Sequence, residues 1–374
     1  MAALHRLLNI TGVAFTFLCV ISPHIASASK GGYWPAYSYS YFPPSQINAS
    51  LYTHLYYAFV DVDNQTFQVG VSVENQQSIQ QFTAQVQTNN PSVKTLLSIG
   101  GGGDDSIHTK FAKMAADASS RKAFIDSSIA LARNYSFHGL DLDWEYPQDT
   151  TEMNNLGQLL SEWRSAVQAE ATATGNDPLL LTAAVYFSHS FFVSDIVREY
   201  PSEMDKLDWL NIMAYDFHGS WEPKQTGAPA ALYDPDSNIS TSFGVQSWLD
   251  AGLPSSKVVM GMPLYGYSWK LQSAGEVGIG AAASGTGIKD GSVTYSDIRD
   301  FIAQNAATEV FDNTTVSAYC YSGLDWIGYD NDQSVARKAV FAKQEGLLGY
   351  FFWNVVQDTA DWALSRTASD TWDG

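Results

Sequence analysis

Phe137-His138-Gly139-Leu140-Asp141-Leu142-Asp143-Trp144-Glu145-Tyr146-Pro147 is the stretch on which the fold turns. Three acids alternate with Leu, Leu and Trp in a run otherwise suited to a buried strand. Side chains on a strand alternate faces, so Asp141, Asp143 and Glu145 share one face, each roughly 6–7 Å from the next. Three carboxylates on one face of an apolar strand are costly to bury unless they are paired or partly neutralised. Pairing drives their pKa values apart, which is how a site obtains a protonated acid beside an ionised partner near neutral pH. Pro147 stops the strand abruptly and leaves Glu145 at its end.

Outward from this strand, short apolar β-branched or aromatic runs alternate with longer amphipathic ones. Strands are predicted over 31–37, 55–62, 93–100, 137–145, 179–187, 207–215, 258–265 and 347–353. Helical patterns fall over 74–87, 108–132 (as two helices), 152–171, 196–206, 243–251 and 333–344, with a last turn or two at 361–366. Eight strands with interleaved helices predict an α/β fold, a closed parallel (β/α)8 TIM barrel. An open doubly wound sheet is the alternative, disfavoured because no Gly-rich phosphate loop follows the first strand. Between Tyr265 and Gln333 the rhythm breaks for longer than one loop allows. That interval mixes Gly-rich stretches, a helical 295–304 and strand-like 316–321 and 326–329. It predicts a small α+β insertion over 267–328 between the seventh strand and its helix, within a catalytic barrel over 29–374.

Residues 1–28 read as a secretory signal peptide: Arg6, an apolar run to Ile21, then Ala26-Ser27-Ala28 as a small-x-small cleavage site. The expected location is extracellular, or a vacuole reached by the same route. The 20 basic residues less Arg6, against 39 acidic ones, leave a formal charge of −20. Such a field repels phosphates and argues against nucleic acid and anionic membranes as partners. Cys19 leaves with the signal and Cys320 stands alone, so stability must come from a core and not from an internal disulfide. Asn48-Ala49-Ser50, Asn64-Gln65-Thr66, Asn134-Tyr135-Ser136, Asn238-Ile239-Ser240 and Asn313-Thr314-Thr315 are candidate glycosylation sites. A monomer is expected.

Polar and aromatic residues cluster where the predicted strands end. Ser98-Ile99-Gly100-Gly101 ends the third, Glu145 the fourth and Met213-Ala214-Tyr215-Asp216 the sixth. Gly261-Met262-Pro263-Leu264-Tyr265-Gly266 ends the seventh and Trp353 the eighth. In a barrel those ends converge on one face. An acid pair, a phenol, a further carboxylate and an aromatic floor suit a sugar ring, whose apolar faces stack on aromatics while its hydroxyls bond carboxylates. His189, His218 and Glu222 lack metal-ligand spacing and no nucleophile elbow is evident, so neither metal nor cofactor is expected.

Residues 139–147 resemble the DGxDxDxE signature of the family 18 glycoside hydrolases, the chitinases. Residues 98–101 are similar to that family's SxGG strand, 213–216 to its MxYD strand, 261–266 to its GxPxYG strand, and Trp353 to the Trp at the base of its cleft. Through 96–103, 137–147 and 326–330 the chain is most similar to the plant class V chitinases. The resemblance implies hydrolysis of β-1,4-N-acetylglucosamine linkages in chitin or its oligosaccharides, with Glu145 as general acid and then base. It implies that the substrate's acetamido oxygen attacks C1, that Asp143 holds the acetamido N–H, that Asp141 tunes Asp143, and that Tyr215 donates to the acetamido oxygen. Trp353 and Phe59 would floor the subsite. Asp216, Met213, Tyr33, Ser98 and Tyr265 would join them in binding substrate, with Trp221 and Trp326 lining the cleft further out. Three departures stand out: His138 replaces the first Asp of the family's long pattern, Gly102-Gly103 replaces a Trp after SxGG, and Tyr267 replaces an Arg after GxPxYG. A chitin-binding lectin or storage protein on the same fold is the alternative, and it would not need Glu145.

Overall fold

The computed structural model describes residues 28–103, 105–191 and 198–374, so the expected signal peptide lies almost wholly outside the described residues. Eight parallel strands close on themselves: β1 (Ser29–Pro35), β2 (His54–Val62), β3 (Lys94–Gly100), β4 (Gly139–Asp143), β5 (Leu180–Tyr186), β6 (Trp209–Met213), β7 (Val258–Pro263) and β8 (Gly349–Trp353). β1 pairs with both β8 and β2, which shuts the barrel. Parallel strands buried on both faces call for nearly continuous apolar runs, and β6 and β8 have them. The outer ring includes α1 (Gln76–Asn89), α2 (Asp105–Ala116), α3 (Ala118–Asn134), α4 (Thr150–Thr174), α5 (Thr241–Asp250), α7 (Asp332–Gln344) and α8 (Ala363–Asp373), while α6 (Tyr295–Asn305) belongs to the insertion. The break between α2 and α3 is made by Asp117, whose carboxylate accepts the Ser119 and Ser120 N–H groups as an N-cap.

Two predicted helices differ from the structure. Over 196–206 the chain instead pairs Arg198–Glu199 antiparallel with Ser190–Phe191 and makes a 3₁₀ turn at Ser202–Lys206; 196 and 197 lie outside the described residues. Pro201 is the reason: it lacks an N–H and pushes Tyr200 out of the helical region. The C-terminal helix is longer than one or two turns, running Ala363–Asp373. Its polar Ser, Thr and Asp content hides the period, but Leu364 and Ala368 are buried and Trp372 packs 5.7 Å from Tyr350.

The interval after β7 forms a six-stranded antiparallel sheet with α6. Strand Tyr265–Leu271 pairs with Ala283–Thr286, Ser292–Thr294 and Asp325–Tyr329, and the sheet continues through Ser317–Ser322 to Thr308–Asp312. Its first strand starts at Tyr265, so this side chain stands where barrel and insertion meet. Trp326, expected at the cleft, is fully buried inside the insertion. Its indole N–H donates to the Val277 carbonyl at 2.9 Å and its ring meets Trp269 at 5.4 Å. Two neighbouring residues in the strand explain the difference: Trp326 and Ile327 alternate faces, and both faces of this strand are covered.

One buried ion pair ties the insertion to the barrel. Lys338 on α7 donates to Asp330 Oδ2 at 2.5 Å, just past the last insertion strand, and to the Ala230 carbonyl in the long connection after β6. Both side chains are buried, and burial depresses the Lys338 pKa against the pull of Asp330. Cys320 is buried in this same region, its thiol pushed up to about 12 by burial.

Candidate active site

Register places the first acid. Asp141 lies opposite Ser98 on β3 and Thr182 on β5, so both hydroxyls reach its carboxylate. Ser98 Oγ donates at 2.6 Å, Thr182 Oγ1 at 2.6 Å and the Tyr33 phenol at 2.9 Å. Burial raises the Asp141 pKa, and these three donors oppose the rise. Ser98 and Tyr33 are 0 % and 1 % exposed and spend their hydroxyls on Asp141. They therefore sit beneath the site and support it, not in contact with substrate as expected. Tyr33 is held in turn by Asn211 Nδ2 at 2.8 Å and by stacking on Tyr56 at 4.3 Å.

Asp143 comes two residues later on the same face, buried, and its Oδ1 has no hydrogen-bond partner in the protein. Burial first, then the charges of Glu145 and Asp141, push its pKa well up. A buried carboxylate oxygen left unpaired is costly, and an external N–H donor would relieve it. Glu145 lies beyond the end of β4, half-buried. Burial pushes its pKa up to about 7, Tyr146 opposes the rise and the charge of Asp216 adds to it. An acid whose proton is held to near neutrality therefore stands beside a carboxyl group with a free oxygen.

Two walls flank the acids. On one, Phe59 stacks on Trp353 with ring centres 5.6 Å apart and planes 21° from parallel, while Tyr33 touches Trp353 from below at 5.7 Å. Gly101 makes this possible: it sits at φ 95°, and a Cβ there would come within 2.5 Å of the Phe59 ring. On the other wall, Tyr215 is half-buried 6.1 Å from Phe351, its pKa raised by burial and then by Asp143 and Asp216. Its hydroxyl stays protonated, as a donor. Asp216 Oδ1 accepts from Tyr265 at 2.6 Å and Tyr267 at 3.0 Å. Met213 is buried against the barrel interior and closes the floor between the walls. Trp221 is 54 % exposed with its ring 5.1 Å from Tyr267.

The departures resolve individually. His138 lies before β4, at the opposite end of the barrel, where its Nδ1 accepts from the Thr95 N–H at 3.1 Å. Burial lowers its pKa, and it has no part in the carboxylate cluster. Gly102 leaves the approach to Glu145 open, since a Cβ there would lie 3.1 Å from Glu145 Oε1. Thr182 and Asn211 were missed from the sequence. Asn211 had a signal, a lone amide in the apolar run Trp209-Leu210-Asn211-Ile212-Met213, whereas Thr182 becomes visible only through strand register.

Among the described residues no group of His, Cys, Asp or Glu could hold a metal ion, and no helix is long and apolar enough to cross a membrane. Asn64, Asn134, Asn238 and Asn313 are exposed; Asn48 is half-buried and accepts from Ser50 Oγ at 2.7 Å.

Comparison with known proteins agrees with this geometry. Residues 30–358 match the model of glycosyl hydrolases family 18. A class V chitinase of Arabidopsis thaliana is 50 % identical over 365 residues, covering 96 % of this chain and 94 % of the relative. The crystal structure of a GH18 chitinase from Cycas revoluta in complex with (GlcNAc)3 superposes with a TM-score of 0.88 at 54 % identity, over 92 % of this chain and all of that one. The chitinase-like agglutinin of Robinia pseudoacacia also matches, with a TM-score of 0.86 at 44 % identity over 92 % of this chain and all of that one. The chain belongs to the family 18 glycosyl hydrolases, alongside the plant class V chitinases.

Proposed function

We propose that this chain hydrolyses the β-1,4 linkages of chitin and N-acetylglucosamine oligosaccharides with retention of configuration, the substrate's own acetamido group acting as nucleophile. The observation that carries the reading is the buried, unpartnered Asp143 Oδ1 beside Glu145 and the Tyr215 phenol. An acetamido N–H satisfies Asp143, and Tyr215 donates to the acetamido oxygen. Glu145 gives its proton to the leaving O4 as the C1–O4 bond breaks and the oxygen–C1 bond forms. Water then opens the ring at C1 and returns a proton to Glu145. The half-exposed Phe59–Trp353 pair takes the apolar face of the sugar.

The likeness to an agglutinin keeps a binding-only reading in view, but a lectin has no use for an acid held near neutrality. The apolar run before Ala26-Ser27-Ala28 supports export through the secretory route. A product time course on chitooligosaccharides of defined length tests the activity: shorter products are expected, and binding without cleavage would overturn it. The same assay has a pH signature. Glu145 must be protonated to act, and its pKa is pushed up to about 7, so kcat/KM should hold to neutrality and then fall about tenfold per pH unit. A profile already falling from pH 5 would contradict that environment.

A further inference from the structure

Tyr267 lies between two groups where barrel and insertion meet. Its phenol donates to Asp216 Oδ1 at 3.0 Å, and its ring meets Trp221 at 5.1 Å with planes 77° apart. Tyr265 donates to the same oxygen at 2.6 Å, so both phenols bind Oδ1 and neither uses Oδ2. Asp216 itself sits at φ 58°, a left-handed position that an Asp tolerates but that needs holding. Trp221 is steadied from beneath, because its ring folds over Gly219, where a Cβ would come within 2.3 Å.

The surroundings of this carboxylate are neutral or acidic. Asp216 is faced by Tyr215, Tyr265 and Tyr267 and feels Glu145. On its own loop His218 is taken by Glu222 at 2.7 Å. Glu145 is faced by Asp143, Asp216, Tyr146, Tyr200 and Tyr215. The Arg198 guanidinium is taken up over the Phe191 ring at 4.3 Å and by the Gln148 carbonyl at 3.3 Å.

We propose that Tyr267 is a positioning residue for the acid: wedged between Trp221 and Asp216, it fixes Asp216 with one oxygen bound and one free, and as a neutral donor it leaves that charge uncompensated before Glu145. A cation in its place would also hold Asp216 but would cancel a charge that adds to the effect of burial on Glu145. Tyr267 thus separates two tasks, orientation and neutrality, that different substitutions probe. The inference rests on the reading of Glu145 as the acid.

The experiment measures pH profiles of kcat and kcat/KM on a chitooligosaccharide for wild type, Tyr267→Phe, Tyr267→Arg, Asp216→Asn and the Asp216→Asn/Tyr267→Phe pair. Tyr267→Arg should move the alkaline limb down by about half to one pH unit, the size expected of one charge near a partly solvated acid. Tyr267→Phe keeps the ring against Trp221 and should lower kcat about three- to tenfold, since a hydrogen bond to a charged group is lost. In the Asp216→Asn background the same change should add little, because its partner charge is gone. An unmoved limb in Tyr267→Arg, or equal losses from Tyr267→Phe in both backgrounds, overturns the proposal; a purely structural Tyr267 would lower the melting point without either signature. If Tyr267→Arg does not fold, the Phe cycle decides alone. Absence of turnover in wild type would instead defeat the catalytic reading, and this one with it.

Discussion

Glu145→Gln is expected to lower kcat on chitooligosaccharides by about 10³–10⁴-fold while leaving oligosaccharide affinity within a few-fold of wild type. The amide keeps the shape of the side chain and its place beyond β4, but it cannot transfer a proton. The change also removes a charge that raises the Asp143 pKa, so Asp143 becomes more readily ionised and keeps its capacity to accept an N–H. Binding through Asp143, Tyr215 and the Phe59–Trp353 pair should therefore survive. Initial rates by chromatography, with calorimetric titration of the same oligosaccharide, check both halves. A variant turning over within a few-fold of wild type would remove Glu145 from the role of acid.

Lys338→Met should destabilise the protein by about 3–5 kcal/mol, without touching the acids. The substitution leaves Asp330 buried with no counter-charge, and its Oδ1 already lacks a partner. It also frees the Ala230 carbonyl. Three segments lose their common tie: α7, the end of the insertion and the connection after β6. A fall in melting temperature of about 5–15 °C is expected in calorimetry. The double change Lys338→Met/Asp330→Leu should recover most of it, because an apolar pair needs no compensation. If the single variant melts within about 2 °C of wild type, the ion pair does not hold the insertion as described.

The barrel was legible because its strands are short apolar runs at regular spacing and its chemistry falls at their ends. Asp141, Asp143 and Glu145 could be placed on one face by alternation alone. What alternation cannot supply is depth and register. Ser98 and Tyr33 looked like site residues by position, yet the structure gives both hydroxyls to Asp141. Thr182 could be assigned there only once β5 was paired opposite Asp141. Trp326 misled for a related reason: an aromatic in an insertion reads as a cleft wall until the insertion is seen to have its own core with Trp269. The helix expected at 196–206 failed on one residue, Pro201, whose local effect outweighed an amphipathic pattern. Tyr267 was read as the loss of a charged contact; its bond to Asp216 joins the first insertion strand to the segment just after β6, a contact across the barrel–insertion junction that no local pattern reveals.

The central claim is that Asp143 and Tyr215 hold an acetamide whose oxygen attacks C1. Proton NMR of freshly cut chitooligosaccharide, read before mutarotation, tests it most directly. The account predicts that the first product carries the β-anomer at its new reducing end, because two displacements at C1 restore the starting configuration. Initial α-anomer would mean direct attack by water, and the roles given to Asp143 and Tyr215 would have to be abandoned.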